Sequence, residues 1–259
     1  MIIALFTYTG RLALLLMACF GKFLHFAGKV VYYGVLPPYY VQALKARIFE
    51  IGYLSLPVVG LTALFTGMVL ALQSYTGFSR FEAEDAIAGV VALSITRELG
   101  PVLTGLMIAG RLGSSMAAEI GTMRVTQQID ALITLSKNPF RYLFWPRLLA
   151  SIITMPILVI VADIIGVLGG YLVAIYELGF TEGAYLNQTF DILKMIDITS
   201  GLIKAFFFGM IIALTGCYQG YYTEGGAAGV GLSSTKAVVQ SSIAILIMNY
   251  VLTSMFFRT

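Results

Sequence analysis

Residues 97–132, RELGPVLTGLMIAGRLGSSMAAEIGTMRVTQQIDAL, change character twice along their length. They begin with two adjacent charges, Arg97 and Glu98, continue as an apolar segment rich in glycine and alanine, and end in a polar segment. Small residues at intervals of four let membrane helices approach closely. We therefore predict a membrane helix that leads into a short amphipathic helix, residues 119–132, outside the membrane.

The composition of the whole chain is that of a polytopic membrane protein. Hydrophobic residues make up 59% of the 259 residues and charged residues 11%, whereas soluble domains carry about 25% charged residues. A membrane helix needs about 20 mainly apolar residues. On this basis we predict a single all-α domain, 1–259, with five transmembrane helices near residues 51–75, 86–118, 148–176, 201–222 and 237–257.

The first 36 residues have the pattern of an amphipathic helix that lies in the membrane interface. Arg11, Lys22 and Lys29 fall on one helical face, and apolar residues occupy the other. A poorly hydrophobic first transmembrane helix is the alternative. The prolines at positions 37 and 38 should end this helix, since proline lacks the backbone N–H donor.

The distribution of lysine and arginine predicts the orientation in the membrane. The first 50 residues carry five basic residues, and the predicted coupling region 119–147 carries four. Segments 77–85 and 177–200 are acidic, with one basic residue each. Basic residues accumulate on the cytoplasmic side. The N-terminus and residues 119–147 are therefore expected in the cytoplasm, and segment 177–200 and the C-terminus outside.

Three charges inside the predicted spans are the candidate functional residues. A charge in the hydrocarbon region is costly, so it must face protein, water or a polar substrate. Arg97 and Glu98 either form a mutual ion pair that orients the helix or provide a polar spot in an apolar cavity, which would suit an amphiphile. Asp163 either pairs with Arg111 or lies near a crevice at a helix end.

Two further patterns can each be interpreted in two ways. Ala109, Gly113 and Ala117 form a small-residue stripe that suits packing within one chain or between two copies. In residues 119–132, one predicted helical face carries Val125, Ile129, Leu132 and Ile133. Such a helix is either a plain surface helix or a knob that fits a groove on a soluble partner.

No pattern in the sequence predicts a catalytic, nucleic-acid, metal or cofactor site. The glycine-rich segment 224–236, predicted to be a loop, lacks the order of glycine, lysine and serine or threonine that defines a P-loop. We therefore expect that any ATP and magnesium are bound by another subunit.

The run 97–132 resembles the signature of the MlaE (YrbE) family of ABC-transporter permeases. GMVLALQ at 67–73, NPFRYLFWPR at 138–147 and GVGLSSTKAVV at 229–239 fit the same family. The resemblance implies a homodimeric permease in the inner membrane of a Gram-negative bacterium. Its substrate would be phospholipid, moved between inner and outer membranes to maintain outer-membrane lipid asymmetry. The implied partners are a cytoplasmic ABC ATPase, a periplasmic hexamer of MCE-domain protein, and a STAS-domain protein bound to the ATPase.

The resemblance also assigns roles to individual residues. It places a lipid pathway at Arg97, Glu98, Leu70, Gln73 and Tyr75. It places contacts with the ATPase in the coupling helix, at Glu119, Gly121, Arg124, Gln127, Gln128 and Asp130. Family members commonly have glutamate at position 127, so the contact with the ATPase is expected to differ there. The alternatives from the residues alone are a lipid-modifying enzyme that uses Glu98 or Asp163, or a structural anchor for the MCE ring.

Overall fold

The computed structural model describes residues 2–81 and 86–257, and all regular elements within these residues are helices. Residues 82–85, part of the predicted acidic loop, lie outside the described residues. The α-helices are α1 (Ile2–Val35), α2 (Val41–Gly52), α3 (Leu56–Phe78), α4 (Ile87–Ser94), α5 (Gly100–Ile108), α6 (Ser114–Val125), α7 (Gln128–Thr134), α8 (Trp145–Tyr176), α9 (Glu182–Ile192), α10 (Met195–Tyr221) and α11 (Gly226–Phe257).

Short turns of other helical types join some of these helices into longer rods. A 3₁₀ turn, Tyr53–Ser55, connects α2 to α3, and π-helical turns at Ile95–Leu99 and Ala109–Gly113 connect α4, α5 and α6. A third π-helical turn, Phe140–Phe144, leads into α8. Turns of the π type occur frequently at functional sites.

Five of these rods are long and apolar enough to cross a membrane, which confirms the predicted number of spans and the all-α fold class. The first to fifth spans are Val41–Phe78, Ile87–Val125, Phe140–Tyr176, Met195–Tyr221 and Gly226–Phe257. The second span has 39 residues. At about 1.5 Å per residue it is about 58 Å long, longer than the hydrocarbon core of about 30 Å, so its ends extend beyond the membrane.

The spans alternate in direction, which gives the bundle two distinct ends. Segment 126–139, between the second and third spans, and the turn 222–225, between the fourth and fifth, form what we call the connection end. Helix α9 lies at the opposite end. Helix α8 is central, because it packs against α2, α3, α5 and α10.

The most extensive helix–helix contact lies between α3 and α8. A Cβ atom added at Gly67 would overlap the carbonyl oxygen of Gly166, so only glycine fits at this crossing. Gly166 and Gly170 form the glycine motif of the third span. Small residues at such a crossing allow backbone atoms of two membrane helices to touch.

The small-residue stripe of the second span packs within the chain. Ala109, Gly113 and Ala117 are buried. A Cβ at Gly216 of α10 would lie 3.1 Å from the Gly113 carbonyl oxygen, and one at Gly220 would lie 3.0 Å from that of Ala117. The interpretation as intramolecular packing is therefore confirmed for this stripe.

The prediction of a loop at 224–236 is wrong, because α11 begins at Gly226. The turn is confined to residues 222–225 and ends at Gly225 and Gly226, which have φ of +90° and +68°. Ser233 of α11 is buried, and its Oγ accepts a 2.8 Å hydrogen bond from Thr223 Oγ1. Glycine costs about 1 kcal/mol in a helix, and packing of α11 against α6 and α10 outweighs that cost.

The predicted segment 177–200 contains a helix of its own, α9, and the start of the fourth span. Tyr185 of α9 is buried and meets Tyr171 edge to face, with ring centroids 5.9 Å apart. Burial raises the pKa of Tyr185 to about 12. Asp197, which the sequence analysis counted as part of the acidic segment, lies in the first turn of α10 and is fully buried.

Helix α1 is continuous and packs through its second half. Phe26 and Val30 are buried, and Phe26 contacts the rings of Phe144 and Tyr218 at centroid distances of 5.3 and 5.6 Å. Lys29 is exposed. This half of α1 is therefore amphipathic, and its position in the membrane interface stays a prediction.

Candidate functional site

Arg97 and Glu98 do not pair with each other, so the interpretation as a mutual ion pair is wrong. Both lie on the π-helical turn Ile95–Leu99. Arg97 Nη2 lies 2.7 Å from Asp197 Oδ1, and Lys204 Nζ lies 2.8 Å from Glu98 Oε1. Each of these two charges is therefore neutralised by an opposite charge of the fourth span.

A proline creates part of this site. Pro101 has no N–H to donate to the carbonyl of Arg97, four residues earlier. Lys204 Nζ donates to that carbonyl oxygen instead, at 2.7 Å. Neighbouring groups commonly satisfy backbone atoms freed by proline in membrane helices. Lys204, which is fully buried, therefore has two acceptors, a carboxylate and a backbone carbonyl.

The fifth span completes the coordination of Glu98. Asn249 Nδ2 donates to Glu98 Oε2 at 2.8 Å, and Thr253 Oγ1 donates to Glu98 Oε1 at 2.9 Å. One carboxylate thus connects three spans. We call the residues Arg97, Glu98, Asp197, Lys204, Asn249 and Thr253 the polar cluster.

An open groove adjoins the polar cluster on the surface of α11. It has a volume of about 510 Å³ and is lined by Tyr250, Thr253, Ser254 and Phe257. We call it the α11 groove. The guanidinium carbon of Arg97 lies 4.4 Å from the centre of the Phe257 ring, and the Arg97 side chain is 34% exposed. A partly exposed cation beside apolar and hydroxyl groups can accommodate an amphiphile with a polar head.

The other three residues of the implied lipid pathway lie on α3. Leu70 packs against the core formed by α4 and α8, and Tyr75 meets Phe180 edge to face at 6.2 Å. Gln73 is exposed. Among the described residues, no hydrogen bond or ion pair joins them to Arg97 or Glu98. Within the described residues, the three α3 side chains therefore make no polar contact with these two charges.

The suggested pairing of Asp163 with Arg111 is wrong. Arg111 Nη1 donates to Ser55 Oγ instead. Asp163 is buried, and its Oδ1 atom has no hydrogen-bond partner in the described part of the chain. It lies against Gly100, where a Cβ atom would overlap Oδ1.

The predicted helix 119–132 is divided into two parts. Residues up to Val125 continue the second span, and α7 begins at Gln128. Gln127 lies between them with φ of +59°, a left-handed conformation that does not propagate a right-handed helix. Val125 therefore does not share a face with Ile129, which is buried, or with Ile133, which is exposed. A separate short helix does lie between the second and third spans.

Two of the predicted ATPase-contact residues make contacts between helices of the chain. Glu119 Oε1 is 2.6 Å from Arg47 Nη2 and 2.7 Å from Arg147 Nη2. The Arg147 contact is an ion pair without the alignment of a hydrogen bond. Gly121 is buried, and a Cβ there would lie 2.9 Å from Thr223 Oγ1. These positions join helices within the chain.

The remaining predicted contact residues form a surface at the connection end. Gln127, Gln128 and Asp130 are exposed, and Arg124 Nη1 donates to Asp130 Oδ1 at 2.7 Å across the break between α6 and α7. Leu135, just after α7, is 70% exposed. This surface combines polar groups with an apolar side chain, a composition that suits a partner protein.

The sequence analysis did not identify Lys204, Asp197 or Asn249. A lone lysine in an apolar span is a signal for Lys204, since such charges need a partner. Its pairing with Glu98, 106 positions earlier, follows from the fold alone. Within residues 2–81 and 86–257, no three histidine, cysteine, aspartate or glutamate side chains are arranged to hold a metal ion.

Comparisons with known proteins agree on one family. The family described as Permease MlaE matches residues 44–255. A "Probable ABC transporter permease protein" of Rickettsia felis is 58% identical over 238 residues, 92% of each chain. The "Intermembrane phospholipid transport system permease protein MlaE" of Haemophilus influenzae is 38% identical over 215 residues, 83% of this chain and 82% of that one. The chloroplastic "Protein TRIGALACTOSYLDIACYLGLYCEROL 1" of Arabidopsis thaliana is 40% identical over 204 residues, 79% of this chain and 58% of that one.

Proposed function

Because the chain belongs to the MlaE permease family, we propose that this multi-pass ABC-transporter permease moves phospholipids between the inner and outer membranes of a Gram-negative bacterium. By this transport it would maintain the lipid asymmetry of the outer membrane. The printed name of the Haemophilus relative, an intermembrane phospholipid transport permease, supports the substrate class. The observation that carries the proposal is the polar cluster beside the α11 groove.

A phospholipid has the chemistry that this site would recognise. The exposed part of Arg97 provides positive charge for a phosphate, and the hydroxyls of Thr253 and Ser254 lie beside it in the groove. Phe257 and Tyr250 provide apolar surface for the start of the acyl chains. The fully buried Asp197 pairs with this cation and keeps it in place.

We further propose that the transporter contains two copies of this chain. The α11 groove is open on one side, and large apolar side chains of α11, such as Ile247 and Tyr250, are exposed. A second copy packed there would enclose the groove. In such a dimer, Leu70, Gln73 and Tyr75 of α3 would also line the shared pathway.

In this arrangement the connection end faces the cytoplasm and an ABC ATPase, which would bind the ATP and magnesium. The opposite end would face a periplasmic MCE-domain hexamer, with the C-terminus on that side and the N-terminus in the cytoplasm. A STAS-domain protein would be bound through the ATPase. The excess of lysine and arginine before residue 50 and within 119–147 supports this orientation.

The second span provides a physical connection between the two ends. It runs as one rod from the polar cluster to Val125, next to α7. Movement of α7 by the ATPase would shift α6 and, through it, the turn that carries Arg97 and Glu98. The ion pairs of Glu119 with Arg47 and Arg147 tie the same rod to α2 and α8, so that these helices would move together.

Reconstitution with the ATPase tests the proposed function. Permease and ATPase are placed in donor vesicles that contain labelled phospholipid, and its transfer to an acceptor MCE protein is measured with and without ATP. We expect transfer only when ATP, the ATPase and the permease are all present. Chemical change of the lipid without the ATPase would favour the enzyme alternative. Assembly with the MCE protein without any transfer would favour the structural anchor.

Leu135→Ser is expected to weaken binding of the ATPase about tenfold if Leu135 is an anchor of the interface, since the minority of side chains that anchor an interface each contribute more than about 1 kcal/mol. The matched control is Leu186→Ser in α9, where the same substitution is made at an exposed leucine of the opposite end. Binding is measured by titration of the purified ATPase into permease in nanodiscs. Equal affinities of the two variants would contradict the assignment of the connection end to the ATPase.

A further inference from the structure

A second groove lies at the connection end, between the end of α1 and the segment that follows α7. It has a volume of about 370 Å³, and Lys29, Ser136, Lys137 and the rings of Tyr33, Phe140 and Tyr221 are among its lining residues. We call it the basic groove. It is separate from the polar cluster, which lies towards the other end of the bundle.

The basic groove has a net positive charge that no side chain of the protein neutralises within the described residues. Lys29 and Lys137 both line it, and no aspartate or glutamate does. Neither lysine takes part in an ion pair within residues 2–81 and 86–257. Their Nζ atoms lie 6.0 Å from the Phe140 ring and 5.7 Å from the Tyr142 ring, respectively. Contact with aromatic faces keeps both ammonium groups near the groove.

Hydrogen bonds to the backbone hold the walls of the basic groove in place. Arg141 Nη1 donates to the carbonyl of Pro37 at 2.6 Å, and its Nε donates to that of Tyr33 at 3.2 Å. The Phe140 N–H donates to Asn138 Oδ1 at 2.9 Å. The two Arg141 bonds join the end of α1 to the segment before α8, and the Phe140 bond fixes the turn within that segment, so bonds within the chain hold both walls of the groove.

The surroundings of the basic groove are those of a membrane–water interface. Leu24, Val31 and Tyr32 of α1 are exposed large apolar residues, next to the basic residues of the same helix. Tyrosine and tryptophan concentrate at the level of the lipid headgroups, and basic amphipathic helices bind at that depth. Basic pockets between membrane helices on the cytoplasmic side suit anionic headgroups.

We propose that the basic groove binds the phosphodiester headgroup of an anionic phospholipid of the surrounding leaflet, as a resident lipid distinct from the transported one. Lys29 and Lys137 neutralise the phosphate, Ser136 provides a hydroxyl donor, and the aromatic side chains contact the glycerol and the first acyl carbons. The charge and the interfacial surroundings favour a lipid over a soluble protein as the occupant. This site does not depend on whether the chain transports lipid.

Lipid retention by the purified permease–ATPase complex tests this proposal. The complex is incubated in detergent with phosphatidylglycerol or phosphatidylcholine, and bound lipid is counted by native mass spectrometry. At low ionic strength each lysine beside an anionic lipid strengthens binding about fivefold. We therefore expect Lys29→Gln/Lys137→Gln to weaken phosphatidylglycerol binding about 25-fold and to leave phosphatidylcholine binding unchanged.

Two control variants separate the site from general charge and folding effects. Lys45→Gln/Lys236→Gln removes two exposed lysines elsewhere and should bind phosphatidylglycerol as the unmodified chain does. Lys29→Arg/Lys137→Arg keeps both charges and should also bind phosphatidylglycerol as tightly as the unmodified chain. Two results would overturn the proposal. One is a loss of phosphatidylglycerol binding in Lys45→Gln/Lys236→Gln equal to that in Lys29→Gln/Lys137→Gln. The other is unchanged phosphatidylglycerol binding in Lys29→Gln/Lys137→Gln.

Two further measurements exclude other occupants. Glycerol 3-phosphate that binds as tightly as phosphatidylglycerol would show a site for a soluble phosphate, and the lipid assignment would be wrong. Acetylation of Lys29 and Lys137 is also compared in the permease alone and in the complex. We expect phosphatidylglycerol to protect both lysines in either case. Protection by the ATPase in the absence of lipid would assign the groove to the partner protein instead.

Discussion

Gly67→Ala is expected to prevent accumulation of the folded chain, although alanine is the better helix former by about 1 kcal/mol. A methyl group at this position would overlap the Gly166 carbonyl oxygen. The obstacle is backbone, which cannot rotate away, so α3 and α8 must separate along the largest helix–helix contact of the bundle. We expect the free energy of unfolding to fall by about 3 kcal/mol or more, which is the upper end of the range for overpacked cores.

The matched control is Gly77→Ala on the same helix. A Cβ at Gly77 has no neighbour within 4 Å, so this variant should be as stable as the unmodified chain or slightly more stable. The measurement is the yield of monodisperse protein in detergent and its temperature of unfolding. Normal yield and unfolding of Gly67→Ala would show that α3 and α8 do not cross as described.

Lys204→Met is expected to destabilise the permease by about 3 kcal/mol, the lower end of the typical cost of removing one partner of a buried ion pair, because Glu98 is 38% exposed. Methionine has a similar length, so the change removes charge and leaves little empty space. Glu98 would keep Asn249 and Thr253 as donors but lose its counter-ion, and the Arg97 carbonyl would lose its donor. Unfolding in a denaturing detergent measures the effect.

Lys194→Met is the control, because Lys194 is an exposed lysine at the start of α10, and surface changes usually alter stability by less than about 0.5 kcal/mol. The double variant Lys204→Met/Glu98→Gln removes both charges. We expect it to be more stable than Lys204→Met alone, because it leaves no carboxylate without a counter-ion. A double variant that is less stable by the sum of the two single effects would contradict the pairing of Lys204 with Glu98.

Hydropathy was sufficient to predict the five spans, because each contains a predominantly apolar stretch of about bilayer length. It did not predict their ends. The first span begins at Val41 and not near residue 51, since α2 places Ile51 in the core and pairs Arg47 with Glu119. Polar residues at helix ends are therefore compatible with helical structure when other helices supply their partners.

The glycine-rich segment and the coupling segment show two limits of local patterns. Four glycines in 225–231 predict a loop, but α6 and α10 stabilise a helix there. In contrast, residues 119–132 have a helical pattern, yet Gln127 adopts a left-handed conformation that divides the helix. No single-residue property of glutamine predicts that break. It allows Ile129 to be buried while Val125, before the break, stays exposed.

The sequence predicts which residues of a single helix are candidates for the site, but not which residues of other helices they contact. Arg97 and Glu98 attract attention because charges in a span need partners. Their partners, Asp197 and Lys204, follow from the packing of the fourth span against the second, which the sequence does not reveal. The family resemblance, confirmed by the match over residues 44–255, identified Arg97 and Glu98 but not the residues that pair with them.

The α11 groove can be filled without breaking any ion pair of the polar cluster. Ser254 lines the groove, and its hydroxyl donates only to the Val251 carbonyl of its own helix among the described residues. Ser254→Trp would occupy much of the volume, and Ser254→Ala is the matched control that leaves it open. Both variants should retain the ATPase and the fold.

ATP-dependent phospholipid transfer by these two variants, in vesicles with the ATPase, is the most direct test of the proposed lipid pathway. We predict that Ser254→Ala transfers lipid at the rate of the unmodified chain. Ser254→Trp should transfer no more than the control without ATP, although its complex is intact. Transfer by Ser254→Trp at the full rate, in an intact complex, would show that phospholipid does not pass through the α11 groove.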